Sequence, residues 1–379
     1  MSHLLVTNDF PPKIGGIQAY LWELWRRLDP ATFAVLTASS HPDASVFDAQ
    51  QRTLGIRIER VPSAVLLPTP GLVRRIRRLA HDAGAGLVLL DPALPLGLVG
   101  PRLGMPYGVV LHGAEVTVPG RLPAARQILG RVLRQASVAV CAGGYPASEA
   151  RRVAGRSMPR VVEIPPGVDT ERFTPLAAAP RRTARRRLSL PQHGPLVVSV
   201  SRLVPRKGMD VLIRAAVALQ PSFPDLTVAI AGGGRDEDRL RRLVAATGAP
   251  VMLLGRMSDQ DLPALYAVAD VFAMACRSRW ASLEQEGFGI VFVEAAACGV
   301  AQVAGHSGGA DEAVDDGVTG LVVKRPDDPA AVALALRRLL SDDAARRRMG
   351  RAARQRVEAA FGYDMLAGRL ADALRGVGG

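Results

Sequence analysis

The chain has 379 residues, 48% of them hydrophobic and 22% charged, which is enough for two cores of ordinary domain size. The net charge of +13 favours an anionic partner, but an aromatic content of 4% and no recognisable module argue against a nucleic-acid-binding protein. No signal peptide is expected, and Asp91, Arg102 and several prolines interrupt the most apolar region, so we expect a cytoplasmic protein without a membrane span. The cysteines, Cys141, Cys276 and Cys298, are expected to be reduced and buried.

Strand-like and helix-like segments alternate along the whole chain. The strand-like runs are LLVT, FAVLT, IRIERV, LVLL, GVVLH and SVAVC in the first half, and LVVSV, LTVAIAG, VMLLG, VFAMA and LVV in the second. This alternation predicts an α/β protein of two Rossmann-like, doubly wound domains. Because Pro165, Pro166 and Gly167 break the pattern, we predict an amino-terminal domain over residues 1–165 and a carboxy-terminal domain over residues 166–360.

The arginine-rich segment GLVRRIRRLAHD is predicted to form an amphipathic helix. At 100° per residue its apolar side chains gather on one side, and the opposite side carries Arg74, Arg75, Arg77 and Arg78. Arginines near an anionic bilayer contribute about 1 kcal/mol each, which is enough for reversible docking but not for insertion. The alternative is an ordinary helix of a Rossmann-like domain with a solvated basic face. Both interpretations remain open from the residues alone.

Two cations, Arg202 and Lys207, follow the first predicted strand of the second half in the segment SRLVPRKG. Side chains at the carboxyl end of a parallel strand reach the edge at which open α/β sheets bind ligands. Fixed cations at that edge can neutralise the charge that develops on a departing nucleotide diphosphate. The alternative is a pair of ordinary surface charges.

The segment EGFGIVFVE places Glu286 and Glu294, with seven residues between them, across a glycine turn that opens into an apolar helix. Gly287 and Gly289 allow a ligand to approach the backbone, and the free N–H groups at the start of the helix suit a diphosphate. Glu294 would lie about 7.5 Å along the helix, so one carboxylate could meet a sugar and the other a ribose. The segment therefore predicts a nucleotide-sugar site. A buried helix flanked by two solvated acids is the alternative.

Asp236 and Asp238 have a D-x-D spacing that could hold a divalent metal ion on a diphosphate. They follow a predicted strand and a glycine turn, and Leu240 and Leu243 come after them. We therefore interpret both as residues of the first turn of a helix, where its dipole favours acidic side chains. No metal site is predicted.

Together these motifs resemble those of the family 4 glycosyltransferases, which retain the anomeric configuration and have the GT-B architecture. Further shared segments are TNDFPPKIGGIQAYL, LHGAEV and PPGVDTERFTP. The resemblance spans nearly the whole chain. It implies two Rossmann-like domains facing a deep cleft, with the last helix, within residues 361–379, returning to the first domain.

The resemblance also implies roles for individual residues. The catalytic set is His112, Arg202, Lys207 and Glu286, of which His112 contacts the donor sugar and Glu286 holds sugar hydroxyls. The nucleotide-sugar-binding set is Gly15, Gly16, Arg202, Lys207, Arg256, Met257, Glu286, Gly287, Phe288, Gly289, Ile290 and Glu294. Asp9 is expected to accept a hydrogen bond from an acceptor hydroxyl, although an aspartate in a loop is equally suited to stabilising a turn.

Within the family, the segments TNDFPP, GGIQ, ACRSR and EGFGIVFVEA are most similar to the actinobacterial mannosyltransferases that act on phosphatidylinositol monomannoside. This similarity implies GDP-mannose as donor, a glycolipid acceptor, an α-1,6 linkage, no metal cofactor, and an anionic membrane surface at the inner face of the plasma membrane. Ala114 stands where these enzymes carry a histidine near the acceptor. Another donor such as UDP-glucose, another acceptor, or a noncatalytic nucleotide-sugar-binding protein therefore remain alternatives.

Overall fold

A computed structural model describes residues 2–39, 41–280 and 282–377, and the chain divides into two compact units. The first unit runs to Gly167 and is completed by the chain from Tyr363 onward, whereas the second unit spans Val168–Gly362. The limits predicted from the sequence lie two residues before each of these boundaries.

The first unit is built on a sheet of seven parallel strands. They are β1 (Ser2–Thr7), β2 (Phe33–Ala38), β3 (Arg57–Val61), β4 (Ala85–Asp91), β5 (Tyr107–Leu111), β6 (Val138–Cys141) and β7 (Arg160–Glu163). Their order in the sheet is β3-β2-β1-β4-β5-β6-β7, which is a doubly wound arrangement. The register between β1 and β4 pairs Thr7 with Asp91 at the carboxyl edge.

The second unit contains a six-stranded parallel sheet. Its strands are β8 (Leu196–Val200), β9 (Thr227–Ala231), β10 (Val251–Gly255), β11 (Val271–Met274), β12 (Ala301–Gly305) and β13 (Gly320–Val323). They are ordered β10-β9-β8-β11-β12-β13. Strands β7 and β12 were not predicted from the sequence. The first, RVVE, is short with a charged residue at each end, and the second, AQVAG, is rich in small residues of low strand propensity.

Helices connect the strands of both sheets. Those of the first unit before the boundary are α1 (Gly16–Trp25), α2 (Ala44–Thr53), α3 (Pro70–Asp82), α4 (Ala114–Arg121), α5 (Pro123–Gln135) and α6 (Gly144–Ala154). The second unit contains α7 (Ala178–Arg187), α8 (Met209–Leu219), α9 (Glu237–Thr247), α10 (Leu262–Ala267), α11 (Ile290–Ala297), α12 (Ala310–Ala313), α13 (Pro329–Ser341) and α14 (Asp343–Ala360). The last helix is α15 (Tyr363–Arg375).

Both faces of the first sheet are covered by apolar side chains. Along β1, Leu4 and Val6 join the core on one face while Leu5 joins the core on the other, because successive strand residues point in opposite directions. On this second face, Leu366 and Leu370 of α15 complete the core, so the last helix packs with the first unit.

The amphipathic helix predicted for the arginine-rich segment is α3. Thr69 caps its first turn by accepting a hydrogen bond from the Leu72 N–H, and the cap is followed by Pro70 at a favourable position. The five apolar residues of the predicted stripe are all buried: Leu72, Val73, Ile76, Leu79 and Ala80. The three cysteines are also buried, as expected, and none forms a disulfide.

Candidate functional site

The loop after β8 is held against the end of β11 by a glycine. Gly208 has a φ of +69°, and a Cβ atom at this position would lie 1.9 Å from the Ala275 carbonyl oxygen. A side chain therefore fits here neither sterically nor conformationally. The close approach fixes the short 3-10 turn Pro205–Lys207 and brings Lys207 to the carboxyl edge of the sheet.

Lys207 and Glu286 form a buried ion pair at this edge. Lys207 Nζ lies 2.7 Å from Glu286 Oε2, and both side chains are about nine-tenths buried. The backbone of Glu286 is held independently: its N–H donates to Ser307 Oγ at 3.2 Å, and its carbonyl accepts from the Gly309 N–H at 3.0 Å. The carboxylate is thus fixed both through its main chain and through its charge.

The charges around Glu286 keep it ionised. Burial raises the pKa of this carboxyl, but Lys207, Arg206 and Arg202 lower it by more, so that its pKa lies below the ordinary value. Arg202 is exposed, and no carboxylate of the described residues lies within ion-pair distance of its guanidinium. The site therefore contains one cation neutralised by Glu286 and another that is available to an anionic ligand.

The glycine turn before α11 packs closely on the loop after β12. Gly289 has a φ of +89° and caps the helix, and a Cβ at Gly309 would lie 2.1 Å from the Gly287 carbonyl oxygen. The Phe288 side chain is buried against Phe361, with ring centroids 5.7 Å apart. Phe288 therefore anchors the turn through packing, which leaves its backbone as the part suited to ligand contact.

Glu294 lies in α11 and has a different kind of partner. Tyr266 Oη donates a hydrogen bond of 2.6 Å to Glu294 Oε2. Burial raises the pKa of Glu294 to about 7, although the Tyr266 hydrogen bond and the Arg172 charge act in the opposite direction. About half of the Glu294 population is therefore protonated near neutral pH, whereas Glu286 stays charged.

The glycine-rich turn after β9 packs between the carboxyl end of β10 and the loop that carries Arg202. A Cβ at Gly234 would lie 2.2 Å from the Leu203 carbonyl oxygen, and the Arg256 side chain passes within 3.1 Å of the Cβ position at Gly233. Arg256 and Met257 thus follow β10 beside the loop that carries Arg202. Both residues belong to the nucleotide-sugar-binding set that the resemblance implies.

Asp236 and Asp238 lie at the start of α9, as interpreted from the sequence. Asp236 occupies the cap position, Asp238 lies in the first turn, and both Asp236 oxygens accept hydrogen bonds of 2.7 Å from Arg239. These contacts give Asp236 a structural role at a helix terminus, where the helix dipole also favours Asp238.

In the first unit, a chain of hydrogen bonds surrounds His112, which follows β5. His112 Nε2 lies 2.9 Å from Asp91 Oδ1, and Thr7 Oγ1 donates a 2.5 Å hydrogen bond to Asp91 Oδ2. The same Thr7 hydroxyl accepts from the Asp9 N–H at 2.9 Å. Burial lowers the pKa of His112, but Asp91, Glu115 and Asp9 raise it by more, so the imidazole is more basic than usual.

The loop that carries Asp9 is ordered by its own side chains. Lys13 Nζ lies 2.9 Å and Gln18 Nε2 2.5 Å from Asp9 Oδ1. A Cβ at Gly15 would lie 2.2 Å from Gln18 Oε1, so Gly15 leaves room for this glutamine, and Gly16 begins α1. Asp9 therefore already has partners that stabilise the loop, in agreement with the turn interpretation.

Several of these partners were not predicted from the sequence. They are Thr7, Asp91, Gln18, Glu115, Arg206, Tyr266 and Ser307. Glu115 had a local signal, because in HGAEV it stands three residues after His112 and accepts hydrogen bonds from the His112 and Gly113 N–H groups, as a capping acid does.

The basic face of α3 is partly engaged within the first unit. Arg75 and Arg78 pair with Glu59 at 2.6 and 3.2 Å. Arg77 donates hydrogen bonds to the backbone carbonyls of residues 102 and 103. Arg74 is exposed and has no carboxylate partner among the described residues. No helix in the described ranges is long and apolar enough to cross a membrane.

Comparisons with known proteins match both units. The family model described as Glycosyltransferase Family 4 matches residues 14–172, and that described as Glycosyl transferases group 1 matches residues 180–356. The chain is 41% identical to the GDP-mannose-dependent alpha-(1-6)-phosphatidylinositol monomannoside mannosyltransferase of Mycobacterium tuberculosis, covering 98% of both chains. It is 36% identical to the corresponding enzyme for the monoacylated acceptor from Corynebacterium glutamicum, covering 98% of this chain and 97% of that one.

Solved structures agree on the fold. A sucrose-phosphate synthase from Thermosynechococcus elongatus matches with a TM-score of 0.82 and 23% identity, covering 99% of this chain and 98% of that one. HepE from Anabaena, solved in complex with UDP, matches with a TM-score of 0.81 and 21% identity, covering 99% and 100%. Two Rossmann-like units of the GT-B class are thereby confirmed.

Proposed function

Because the chain belongs to the family 4 glycosyltransferases, we propose that it transfers mannose from GDP-mannose to a phosphatidylinositol monomannoside through an α-1,6 linkage. The observation that carries this proposal is the Lys207–Glu286 ion pair beside Arg202 at the carboxyl edge of the second sheet. The donor and acceptor come from the relatives that match almost the entire chain at 36–41% identity.

The proposed chemistry requires stabilisation of a leaving diphosphate. The bond between the anomeric carbon of mannose and the β-phosphate oxygen breaks, and its electron pair leaves with GDP. Lys207 and Arg202 stabilise the charge that develops on this oxygen. The acceptor hydroxyl forms the new bond on the same face of the sugar, and its proton passes to the departing phosphate, so the anomeric configuration is retained.

The acidic residues then have separate tasks. Glu286, ionised and fixed by its backbone, accepts hydrogen bonds from mannose hydroxyls while it orients Lys207. Glu294 accepts hydrogen bonds from ribose hydroxyls, which favours its ionised form. His112, held by Asp91, donates a hydrogen bond to the sugar.

We further propose that transfer needs no metal cofactor, because protein cations take the part that a divalent ion has in other transferases. EDTA should leave transfer within about twofold of the untreated rate. A strict requirement for Mg²⁺ or Mn²⁺, restored by titration, would contradict this part of the proposal. Asp236 and Asp238, at the start of α9, would then be the candidate metal ligands.

A lipid acceptor requires access to a bilayer, and we propose that the α3 region docks on the anionic inner face of the plasma membrane. Arg74 offers an exposed charge that has no carboxylate partner among the described residues, and Val65 and Leu67, which are 48% and 59% exposed, precede the helix. Charge and exposed apolar side chains together suit reversible binding at an interface.

Vesicle flotation tests this docking. Binding to anionic vesicles should exceed binding to neutral ones and weaken as salt is raised, because exposed charges are screened. Arg74→Gln combined with Leu67→Ser should weaken binding, whereas Arg131→Gln, an exposed arginine on α5, should leave it unchanged. Equal effects of the two variants would mean that α3 has no special role.

Donor and acceptor are tested together by mass spectrometry of the products. The enzyme is incubated with GDP-mannose, GDP-glucose or UDP-glucose, each with phosphatidylinositol monomannoside or with phosphatidylinositol. The proposal predicts one added hexose only with GDP-mannose and the monomannoside, in a linkage that methylation analysis gives as 1,6. Efficient use of UDP-glucose would favour another transferase, and nucleotide binding without any product would favour a noncatalytic binding protein.

A further inference from the structure

A cavity lies at the edge of the second sheet opposite to Lys207 and Glu286. Its volume is about 380 Å³, at the low end of the range for small-molecule sites. Its walls come from α7, from the loop before β8 and from the residue before β11. β8 and β11 are neighbours in a parallel sheet, so their amino ends meet here while their carboxyl ends meet at the donor site.

The cavity walls carry more positive than negative charge. Arg181 and Arg185 stand one helical turn apart on α7, and both donate to Asp270, at 2.8 and 3.0 Å. Asp270 is the single carboxylate among the residues of the described chain that line the cavity. It also accepts from the Leu196 N–H at 2.8 Å, so its two oxygens are already shared between three donors.

Two further side chains of the wall retain their donors. Arg182 is exposed, and the described part of the chain places no carboxylate within 4 Å of it. His193 is also exposed and lines the same cavity. Arg185, in contrast, is buried, and its terminal nitrogens donate to the Gly194 and Val268 carbonyls. The buried arginine therefore builds the wall, and the exposed Arg182 and His193 remain for a ligand.

The structure assigns to this cavity a second anion site that binds a small phosphate compound, either inorganic phosphate or a soluble phosphomonoester. Planar guanidinium groups match the oxygens of a phosphate, and the excess of cations favours a dianion over a neutral ligand. The cavity lies at the amino edge of the sheet, so its occupant is distinct from the diphosphate of the donor.

NMR titration of the histidine imidazoles tests this assignment, because the second unit has a reporter at each edge. His193 lines the cavity, and His306 directly follows β12 at the carboxyl edge. Inorganic phosphate and glycerol 3-phosphate are titrated separately at constant pH and ionic strength, with chloride as the reference anion. His193→Gln assigns the signal. The assignment predicts a saturable shift of His193 whose midpoint is the same in an Arg202→Ala background, which weakens the donor site.

A matched pair of arginine variants locates the binding. Arg182→Ala should raise the phosphate concentration at the midpoint of the His193 shift by roughly fivefold or more, because a charge-assisted contact is lost. Arg242→Ala, an exposed arginine of α9 without a carboxylate partner in the described chain, should leave it unchanged. A non-saturable shift, or equal weakening by both variants, would overturn the site. A response of His193 only to phosphatidylinositol vesicles, and not to either soluble phosphate, would also overturn it.

Discussion

Glu286 precedes the glycine turn and Glu294 lies in the helix that follows it, yet their surroundings differ in charge. Glu286 faces Lys207, with Arg206 and Arg202 nearby, and its pKa is lowered. Glu294 faces the neutral hydroxyl of Tyr266, and burial raises its pKa to about 7. Two carboxylates of one motif thus have pKa values shifted in opposite directions, Glu286 by nearby cations and Glu294 by burial.

The difference indicates different tasks for the two acids. A carboxylate that stays ionised beside a lysine suits the sugar, which must be held in place while charge develops on the leaving diphosphate. A carboxyl that titrates near neutral pH suits hydroxyl groups that it binds when ionised. Substitution of Lys207, the partner of Glu286, and of Tyr266, the partner of Glu294, should therefore have different consequences.

The largest effect is expected for Lys207→Ala, which removes the ion-pair partner of Glu286. Loss of the cation should cost about 2–4 kcal/mol of transition-state stabilisation, or roughly 30- to 1,000-fold in turnover. It also leaves the buried Glu286 without its ion-pair partner, so circular dichroism must show that the fold persists. Lys324→Ala, at an exposed lysine of the same unit, is the control and should keep near-normal turnover.

Arg202→Ala should follow, at about 2 kcal/mol of transition-state stabilisation. Arg202 is exposed and unpaired within the described residues, so its loss should not affect the thermal midpoint of unfolding. Single-turnover kinetics with GDP-mannose would measure the effect. Unchanged turnover in a folded variant would remove Arg202 from the leaving-group site.

A smaller effect is expected from a change of pH, which alters the ionisation of Glu294 and thereby the affinity for the donor. With a pKa of about 7, the ionised fraction of Glu294 rises from about one-tenth at pH 6 to nine-tenths at pH 8. GDP-mannose, whose diphosphate does not titrate in this range, should therefore bind up to roughly tenfold tighter at pH 8. Calorimetry across this range measures the change, and Glu294→Gln should abolish it.

The same pKa affects stability in the opposite direction. The folded state binds more protons than the unfolded state between pH 4.5 and about 7, because the folded pKa is raised. The Glu294 contribution to the free energy of unfolding therefore decreases as the pH rises through that window. Glu294→Gln should flatten this part of the profile, and an unchanged profile would contradict the raised pKa.

The smallest effect is expected for Tyr266→Phe. The hydroxyl lowers the pKa of Glu294, so its removal should move the midpoint of the pH-dependent binding upward, by up to about one pH unit. The ring remains to pack against Phe272, with centroids 5.5 Å apart, so the core should be preserved. A downward movement of the midpoint would mean that Tyr266 disfavours the ionised carboxylate.

The sequence was informative where the signal is local. Short segments of sequence were enough to predict three features: the alternation of strands and helices, the apolar stripe of α3, and the glycine turn between Glu286 and α11. Arg202 and Lys207 were also predictable, because a loop after a strand in a parallel sheet reaches the binding edge.

The environment of each acid was not predictable, because its partners are distant in the chain. Tyr266 stands 28 residues before Glu294, and Ser307 stands 21 residues after Glu286. Asp91 likewise meets His112 through adjacent strands and not through a local motif. Sequence spacing can place a carboxylate at a site, but its protonation state depends on contacts that only the fold creates.

Calorimetry with free GDP tests the division of tasks most directly, since the ligand contains the ribose and lacks the sugar. Glu286→Gln should bind GDP within about twofold of the wild type while transfer is strongly reduced. Glu294→Gln should weaken GDP binding by roughly tenfold or more, the effect of losing a hydrogen bond to a charged group. Equal losses of GDP affinity in the two variants, or a loss confined to Glu286→Gln, would contradict the assignment of the first acid to the sugar and the second to the nucleotide.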